Sequence, residues 1–391
     1  MDQLDAKQIV RERAQRAHSA LVGLSHWIHA NPELQFAETR ASGWVAEWLE
    51  KASFEVERGV GGLETAVAGH FGPGPLNVAL LAEYDALPEV GHACGHNVIA
   101  ATAVGAGVAL AGVAEQLGLR VTVLGTPAEE GGGGKVKLID AGVFDAVDMA
   151  LMTHPGPSDL LEPEVLAAQT LDVVYHGRPA HAAAFPEKGL NAADAIVVAQ
   201  VALGLLRQAL RPTERVHGIV TSGGEAPNII PAETRGRFMI RAASLEELDG
   251  LRERVLRCFE AGAVASGASV EVHQRVAYAE MRHDRELSAL YQANAAALGR
   301  SFEIGDETLQ LNRFSTDMGN VSLVVPAIHP VIGIDSAPAV NHQPEFTAAA
   351  ATEAADQAIL DGAVALAWTC VDVALNEELR ERLLRRRAAA T

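Results

Sequence analysis

Polar and apolar positions follow two rhythms between residue 1 and about residue 155. A helical spacing runs near 6–30 and again near 39–52. Short apolar runs then follow, such as NVALLAEYD and RVTVLGTPAEE, separated by the Ala- and Gly-rich stretch from Val98 to Ala114. Strands that are apolar almost throughout and alternate with helices predict a sheet covered on both faces, in an α/β layered domain. From 166 to 280 the rhythm changes. EVLAAQTLDVVYHG, RVHGIVTSGG, ETRGRFMIRA and ASVEVHQRVAYAE read as strands, with LNAADAIVVAQVALGLLRQAL and SLEELDGLRERVLRCFEAGAVAS as helices between them. That β-α-β-β-α-β order is a ferredoxin-like α+β unit, its second helix opened by the capping box Ser244-x-x-Glu247. Helix, strand and turn then return in LSALYQANAAALG and PAIHPVIGI, and an Ala-rich helix over 347–376 follows. The expected organisation is a layered domain with a mostly parallel central sheet, made of 1–165 and 281–391, into which a smaller domain, 166–280, is inserted.

A chain of 391 residues is too long for one ordinary core, which agrees with two domains. Its formal charge of −19 argues against nucleic acid or an anionic membrane as partner, since either would be repelled by most of this surface. Small molecules are the expected partners. Val98 to Ala114 begins directly after a His/Cys cluster and is better explained as a tightly packed internal helix than as a membrane span. Cys94, Cys258 and Cys370 are odd in number and far apart, the spacing of neither a disulfide framework nor a four-thiolate zinc module, so a reducing cytoplasm is expected. The opening residues, charged and helix-like, lack the apolar centre of a secretory signal.

Ligands of open α/β sheets gather beyond the carboxyl ends of the strands, and here each expected strand runs into polar groups. NVALLA leads to Glu83, Asp85 and GHACGHN, RVTVLG to Glu129, Glu130 and four glycines, and VDMALMT to His154. Cys94, His96, Glu130 and His154 can therefore converge, with His342 of AVNHQPEF completing a thiolate, imidazole and carboxylate set suited to zinc or a neighbouring divalent ion. In an extended segment Cys94 and His96 would face one way and His92 another. Of the adjacent Glu129 and Glu130, one can bind metal while the other acts as base toward a water the metal acidifies. A Cys94 nucleophile with His92 or His96 as base is the alternative, and it leaves both glutamates idle. His26, His29, His70, His217 and His273 read as ordinary structural histidines. Phosphate-loop, HExxH, GxSxG and cytidine-deaminase signatures are absent.

The chain resembles the M20 family of metal-dependent amidohydrolases and peptidases, in its aminoacylase-like branch. The resemblance is carried, in order, by HANPELQFAET, EYDALP with GHACGHN, TPAEEGGGG, HPG, GRPAHAAAFPEKGLNAADA, PNIIPAE and NHQPEF. EYDALP with GHACGHN is most similar to the p-aminobenzoyl-glutamate hydrolase subunit and to dipeptidases acting on β-alanyl or Xaa-basic dipeptides. Glu83, Tyr84 and Asn97 stand where the commoner pattern has RADMDALP and an Asp after CGH. The resemblance implies hydrolysis of the amide bond of small N-acyl amino acids or dipeptides. It implies two divalent ions, zinc first and manganese, nickel or cobalt as alternatives, held by Cys94, His96, Glu130, His154 and His342. Glu129 would be the general base, Asp85 would orient a ligand, and His181 would stabilise the oxyanion. Asn228 and Arg241 would hold the substrate carboxylate. The inserted domain would serve as lid and as the surface of a homodimer or higher homo-oligomer. Two alternatives accompany this reading, a non-catalytic substrate-binding or accessory subunit and a Cys94 thiol amidase.

Overall fold

The computed structural model describes residues 1–302 and 314–390. The chain divides into two compact units, Met1–Glu164 with Met281–Thr391 and Val165–Glu280.

In the first unit, α1 (Gln3–Ala30) and α2 (Thr39–Lys51) precede β1 (Glu55–Arg58), β2 (Val67–Phe71) and β3 (Leu76–Glu83). Next come α3 (His96–Leu110), α4 (Ala114–Leu117), β4 (Leu119–Thr126), α5 (Gly134–Asp140), β5 (Met149–Leu151) and β6 (His154–Gly156). The second unit holds β7 (Ala167–His176), α6 (Ala192–Leu206), β8 (Arg215–Ser222), β9 (Glu233–Ala242), α7 (Leu245–Ser266) and β10 (Ser269–Gln274). The chain returns to the first unit with α8 (Arg285–Ala296), the helix Met318–Val324, β11 (Ala327–Ile328) and β12 (Val331–Gly333). Three helices follow, Pro344–Ala349, Glu353–Leu375 and Glu377–Ala390.

The large sheet has the order β1-β2-β4-β3-β5-β11, and from β4 through β11 every pairing is parallel. Its centre, β3, is buried at all eight positions, as a strand covered on both faces must be. Alternation along β3 sorts its side chains into two cores. Val78, Leu80 and Ala82 join the cluster formed with α1, α3 and Glu353–Leu375, whereas Ala79 and Leu81 join Leu138, Phe144, Met318 and Val321 on the other face. Glu83, next in that second series, is thereby aimed at the layer of α5 and Met318–Val324. β1, the edge strand, and β2, between β1 and β4, pair antiparallel and are only four and five residues long, which hides them from a reading of apolar runs.

Most of the Val98 to Ala114 stretch belongs to α3, in which every residue but Val108 is buried, and its last residue opens α4. Glu353–Leu375 is equally apolar and likewise a core helix, with 89% of its most hydrophobic window buried. The single helix expected over 347–376 is two, because Thr352 takes extended dihedrals (φ −97°, ψ 169°) between Pro344–Ala349 and Glu353–Leu375.

In the second unit the sheet order is β10-β7-β9-β8, the ferredoxin-like arrangement, with α6 and α7 on one face. Only half of the expected capping box forms. Ser244 Oγ accepts from Glu247 N at 3.3 Å, but the Glu247 carboxylate turns to Arg211 at 2.8 Å and Thr213 at 3.3 Å, while Glu280 accepts from Leu245 N at 3.0 Å. The charged partner outside the helix wins the carboxylate.

Candidate functional site

β3, β4 and β5 run parallel, and the loops leaving their carboxyl ends bring the titratable groups together. After β3 the chain passes Asp85 and turns through His92 to Gly95, whose left-handed φ of 73° starts α3 at His96. Cys94 and His96 therefore reach one site through a turn and a helix start, and not through strand alternation as the sequence suggested. A side chain at residue 95 would be strained by that φ and would press on Pro155 at 2.4 Å. His92 does point elsewhere. It is buried beside His29, the ring centroids 6.2 Å apart.

After β4, Ala128 takes a φ of 57° and is held there by Glu38, whose Oε1 accepts from Ala128 N at 2.9 Å. Glu130 N donates to Asp85 at 3.0 Å. Gly134 packs so tightly beneath this turn that a Cβ there would lie 1.8 Å from the Pro127 carbonyl oxygen, which explains the glycine at that position. The N-terminal motif HANPELQFAET buttresses both loops. Glu33 O accepts from Ala86 N at 2.8 Å, and Glu38 holds Ala128.

Among the described residues, four overlapping sets of side chains have ligand atoms within 4.8 Å of one another: Cys94, His96 and His154; Cys94, Glu130 and His342; His96, Glu129 and Glu130; and Glu83, Glu129 and Asp317. All five residues expected as ligands are thus together, with Glu129 among them. His96 Nδ1 lies 3.1 Å from Asp85 Oδ1, so the ring donates there and leaves the Nε2 lone pair pointing inward. Among the described residues that Nε2 is buried without a hydrogen-bond partner, 3.4 Å from Glu83, 3.9 Å from Glu129 and 4.0 Å from Glu130. His154 Nδ1 donates to Pro155 O at 2.8 Å, freeing its own Nε2. His342, exposed and at a φ of 71°, is pinned by a bond from its N to Ala93 O at 2.8 Å and approaches Glu130 at 3.8 Å. Oriented imidazoles with an unpaired inward nitrogen are the arrangement a metal ligand needs.

The charges say the same. Glu83, Asp85, Glu129, Glu130 and Asp317 are buried or nearly so, and among the described residues the ammonium of Lys135 stands with them. Burial, then the neighbouring carboxylates Glu83, Glu130 and Asp317, push the Glu129 carboxyl well above its ordinary value. Burial also raises Glu130 and, with Glu130 beside it, the Cys94 thiol. Burial depresses His154 to about 4, so the ring is neutral and able to ligate. Burial would lower His96, but the bond from its Nδ1 to Asp85 and the neighbouring Cys94 and Glu83 raise it instead, and the Asp85 bond to His96 holds Asp85 low despite burial. Such a concentration of buried acceptors is stabilised by cations.

Sequence reasoning missed Lys135, Asp317, Glu38 and His329, the last with its ring centroid 5.5 Å from that of His154, as members of this region. Lys135 follows the glycine run closely, a signal that was available; Asp317 and His329 sit in no motif. The departures at Glu83, Tyr84 and Asn97 have structural partners. Glu83 bonds Lys135 at 2.5 Å, Tyr84 OH donates to Thr65 O, and Asn97 Nδ2 donates to Ser25 Oγ and Ala350 O, both at 2.8 Å. His26, His29 and His70 bond Asp356, Thr347 O and Thr122.

His181, Asn228 and Arg241 belong to the second unit. His181 and Asn228 share a loop pair, with Ala182 N donating to Asn228 O at 3.0 Å. His181 Nδ1 accepts from Ala183 N and Ala184 N at 3.2 and 3.1 Å, so the neutral ring carries its proton on Nε2. Both side chains are exposed, beside a pocket of about 360 Å³ lined by Gly224, Glu225, Pro227 and Ile229. Arg241 is not with them. It lies eight residues along β9 from Glu233, roughly 26 Å away at strand rise, and burial lowers its pKa.

The model of peptidase family M20/M25/M40 matches residues 79–361. A Xaa-Arg dipeptidase of Mus musculus is 41% identical over 96% of this chain and 90% of its own length. The chain belongs to peptidase family M20/M25/M40. It is a hydrolase. A p-aminobenzoyl-glutamate hydrolase subunit of Escherichia coli is 34% identical over 68% of this chain and 60% of its own length. In fold, the chain matches a Bacillus subtilis protein described as a dinuclear metal binding peptidase from the M20 family. The TM-score is 0.70 over 93% of this chain and 99% of that one, at 21% identity. The M20 fold, a layered unit with a mostly parallel sheet and a smaller α+β unit, is the one the sequence predicts.

Proposed function

We propose that this M20 hydrolase cleaves the amide bond of dipeptides or small N-acyl amino acids with divalent metal, and that dipeptides ending in a basic residue are its first substrate class. The observation that carries the metal is His96, with Nδ1 committed to Asp85 and a buried, unpaired Nε2 facing carboxylates. The substrate class rests on the extent of likeness to the Xaa-Arg dipeptidase.

Cys94, His96, Glu130, His154 and His342 would hold two ions, zinc in the first place, since thiolate and imidazole together suit it; manganese, nickel and cobalt also fit the mixed donors. Bound there, such ions polarise the scissile carbonyl and acidify a water. Glu129 takes that water's proton and returns it to the departing amine. Asp85 fixes the tautomer of His96 and, through Glu130 N, the turn carrying the glutamates. His181, its Nδ1 already occupied, is the group whose Nε2–H would serve the oxyanion. Asn228 and Arg241, far apart in one chain, would meet on one substrate carboxylate only if two copies each contributed one. A Cys94 thiol mechanism is disfavoured, because burial and Glu130 raise its pKa where a nucleophile wants it lowered.

A homodimer through the inserted unit is supported by β8, an edge strand exposed at seven of eight positions, and by Val197, Val201 and Leu205 at 55%, 60% and 64% exposure on α6. A cytoplasmic location is proposed from three free thiols, one of them a ligand that oxidation would spoil.

The test is a hydrolysis screen of protein reconstituted with zinc, manganese, nickel or cobalt, across Xaa-Arg and Xaa-Lys dipeptides, β-alanyl dipeptides, p-aminobenzoyl-glutamate and N-acyl amino acids. Turnover that survives exhaustive chelation, or inertness toward every amide, would defeat the reading.

A further inference from the structure

Glu129 belongs to two of the candidate ligand sets, one shared with His96 and Glu130, the other with Glu83 and Asp317. The second set is the harder of the two. Three carboxylates with oxygens within 4.8 Å of one another and all buried would by their charge attract a divalent cation strongly. An ion there would draw Glu129 into coordination and away from proton transfer.

A cation already sits at that place. Lys135 is fully buried, and its Nζ lies 2.5 Å from Glu83 Oε1 and 2.6 Å from Asp317 Oδ1. Its main-chain N donates to the second Asp317 oxygen at 2.9 Å. Both Asp317 oxygens and one Glu83 oxygen are thus engaged by a single residue, whose backbone is itself fixed at the start of α5 behind the glycine turn. Glu83 arrives through the alternation of β3, and Asp317 stands directly before the helix Met318–Val324, so three separate elements converge on the ammonium. Lys135 is therefore held where a solvated lysine would be free to move, its side chain fully buried between the two carboxylates.

We infer that the Lys135 ammonium is the resident cation of the Glu83, Glu129 and Asp317 set, closing that set to divalent ions so that bound metal stays with Cys94, His96, Glu130, His154 and His342 and Glu129 stays a base. The inference rests on the metal-dependent reading above. Lys135 acts on the reaction through Glu83 and Asp317, as a positioning residue.

The experiment is a titration of the full-length, metal-free wild type and Lys135→Met with Mn²⁺ alone, bound ion being counted by equilibrium dialysis with elemental analysis and folding followed by circular dichroism. Wild type is expected to bind two ions per chain and Lys135→Met one more, the additional ion disappearing in Lys135→Met/Asp317→Asn. A folded Lys135→Met that binds the wild-type number, or a wild type that takes a third ion as tightly, overturns the inference. Should Lys135→Met be unfolded in chelator, Mn²⁺ is expected to restore the fold at a count one above wild type. Failure to restore it, or restoration at the wild-type count, is equally fatal. Were the wild type to bind no Mn²⁺, the metal-dependent reading would fall, and an ion gained only by Lys135→Met would still support the role of the ammonium.

Discussion

Asp85 makes two bonds that no neutral side chain of its shape can keep together. Oδ1 accepts from His96 Nδ1 at 3.1 Å and Oδ2 from Glu130 N at 3.0 Å, in a setting where Asp85 is 1% exposed. Asp85→Asn leaves one accepting oxygen and adds an NH₂. With the amide nitrogen toward Glu130 N, two donors oppose each other in a buried place. With it toward His96, the ring must accept at Nδ1 and carry its proton on Nε2, the atom that faces Glu83, Glu129 and Glu130. Either rotamer harms ligation. Removing such an orienting partner lowers metal affinity roughly 10- to 100-fold, about 1.4 to 2.7 kcal/mol. The assay is zinc binding against a competing chelator, with circular dichroism to confirm the fold and turnover read at saturating metal. An Asp85→Asn protein that binds zinc within about twofold of wild type would show that the Asp85 to His96 bond does not govern ligation, and the tautomer argument would fail with it.

Glu129→Gln should keep its metal, counted by elemental analysis, while turnover falls by at least about a hundredfold; near-normal turnover removes Glu129 from the mechanism. His181→Ala should remain folded and metal-loaded yet lose roughly a hundredfold in kcat, and full activity would dismiss the oxyanion role. Val201→Glu, placing charge on the exposed apolar face of α6, should yield monomers by sedimentation; an unchanged mass relative to wild type would place any self-association elsewhere. Asp172 supplies a pH dependence. Burial raises its pKa, but hydrogen bonds from Arg237 and Arg275 prevail and hold it below the ordinary carboxylate value of 3.8. Its contribution is therefore present above that value and lost as pH falls through the lowered one. For a pair this exposed it is worth about 1 kcal/mol or less. Urea melts of Asp172→Asn should accordingly differ from wild type at pH 7, with the difference shrinking as the pH falls below the ordinary carboxylate value of 3.8; a difference that stays constant down that range would remove Asp172 from the acid sensitivity.

Elements whose side chains all face one kind of surroundings were the legible ones. β3 is apolar at nearly every position because helices cover both its faces, and α3 is Ala- and Gly-rich because it is buried all round, so composition alone locates both. β9 begins and ends where its alternation does, since one face meets α6 and α7 and the other does not. β1 and β2 escaped because a strand of four or five residues carries too few alternations to register. Thr352 escaped for another reason. Its neighbours are alanines that continue a helix equally well, and only the tertiary path of the chain interrupts them.

The site divides along the same line, between what a short motif contains and what the topology assembles. Cys94 and His96, or Glu129 and Glu130, are adjacent in sequence and stand out by composition. Lys135 and Asp317, 182 positions apart, do not, and their bond exists because α5 and Met318–Val324 cover one face of the sheet. Glu83 links the two kinds of residue. Its parity on β3 sends it to the face where Lys135 and Asp317 wait, while Oε2 remains 3.4 Å from His96. An aspartate there, one methylene shorter, could not span from the strand to both partners without moving one. The glutamate of EYDALP and the lysine after the glycine run therefore belong to a single arrangement, and exchanging either alone should disturb the other's position before it disturbs the fold.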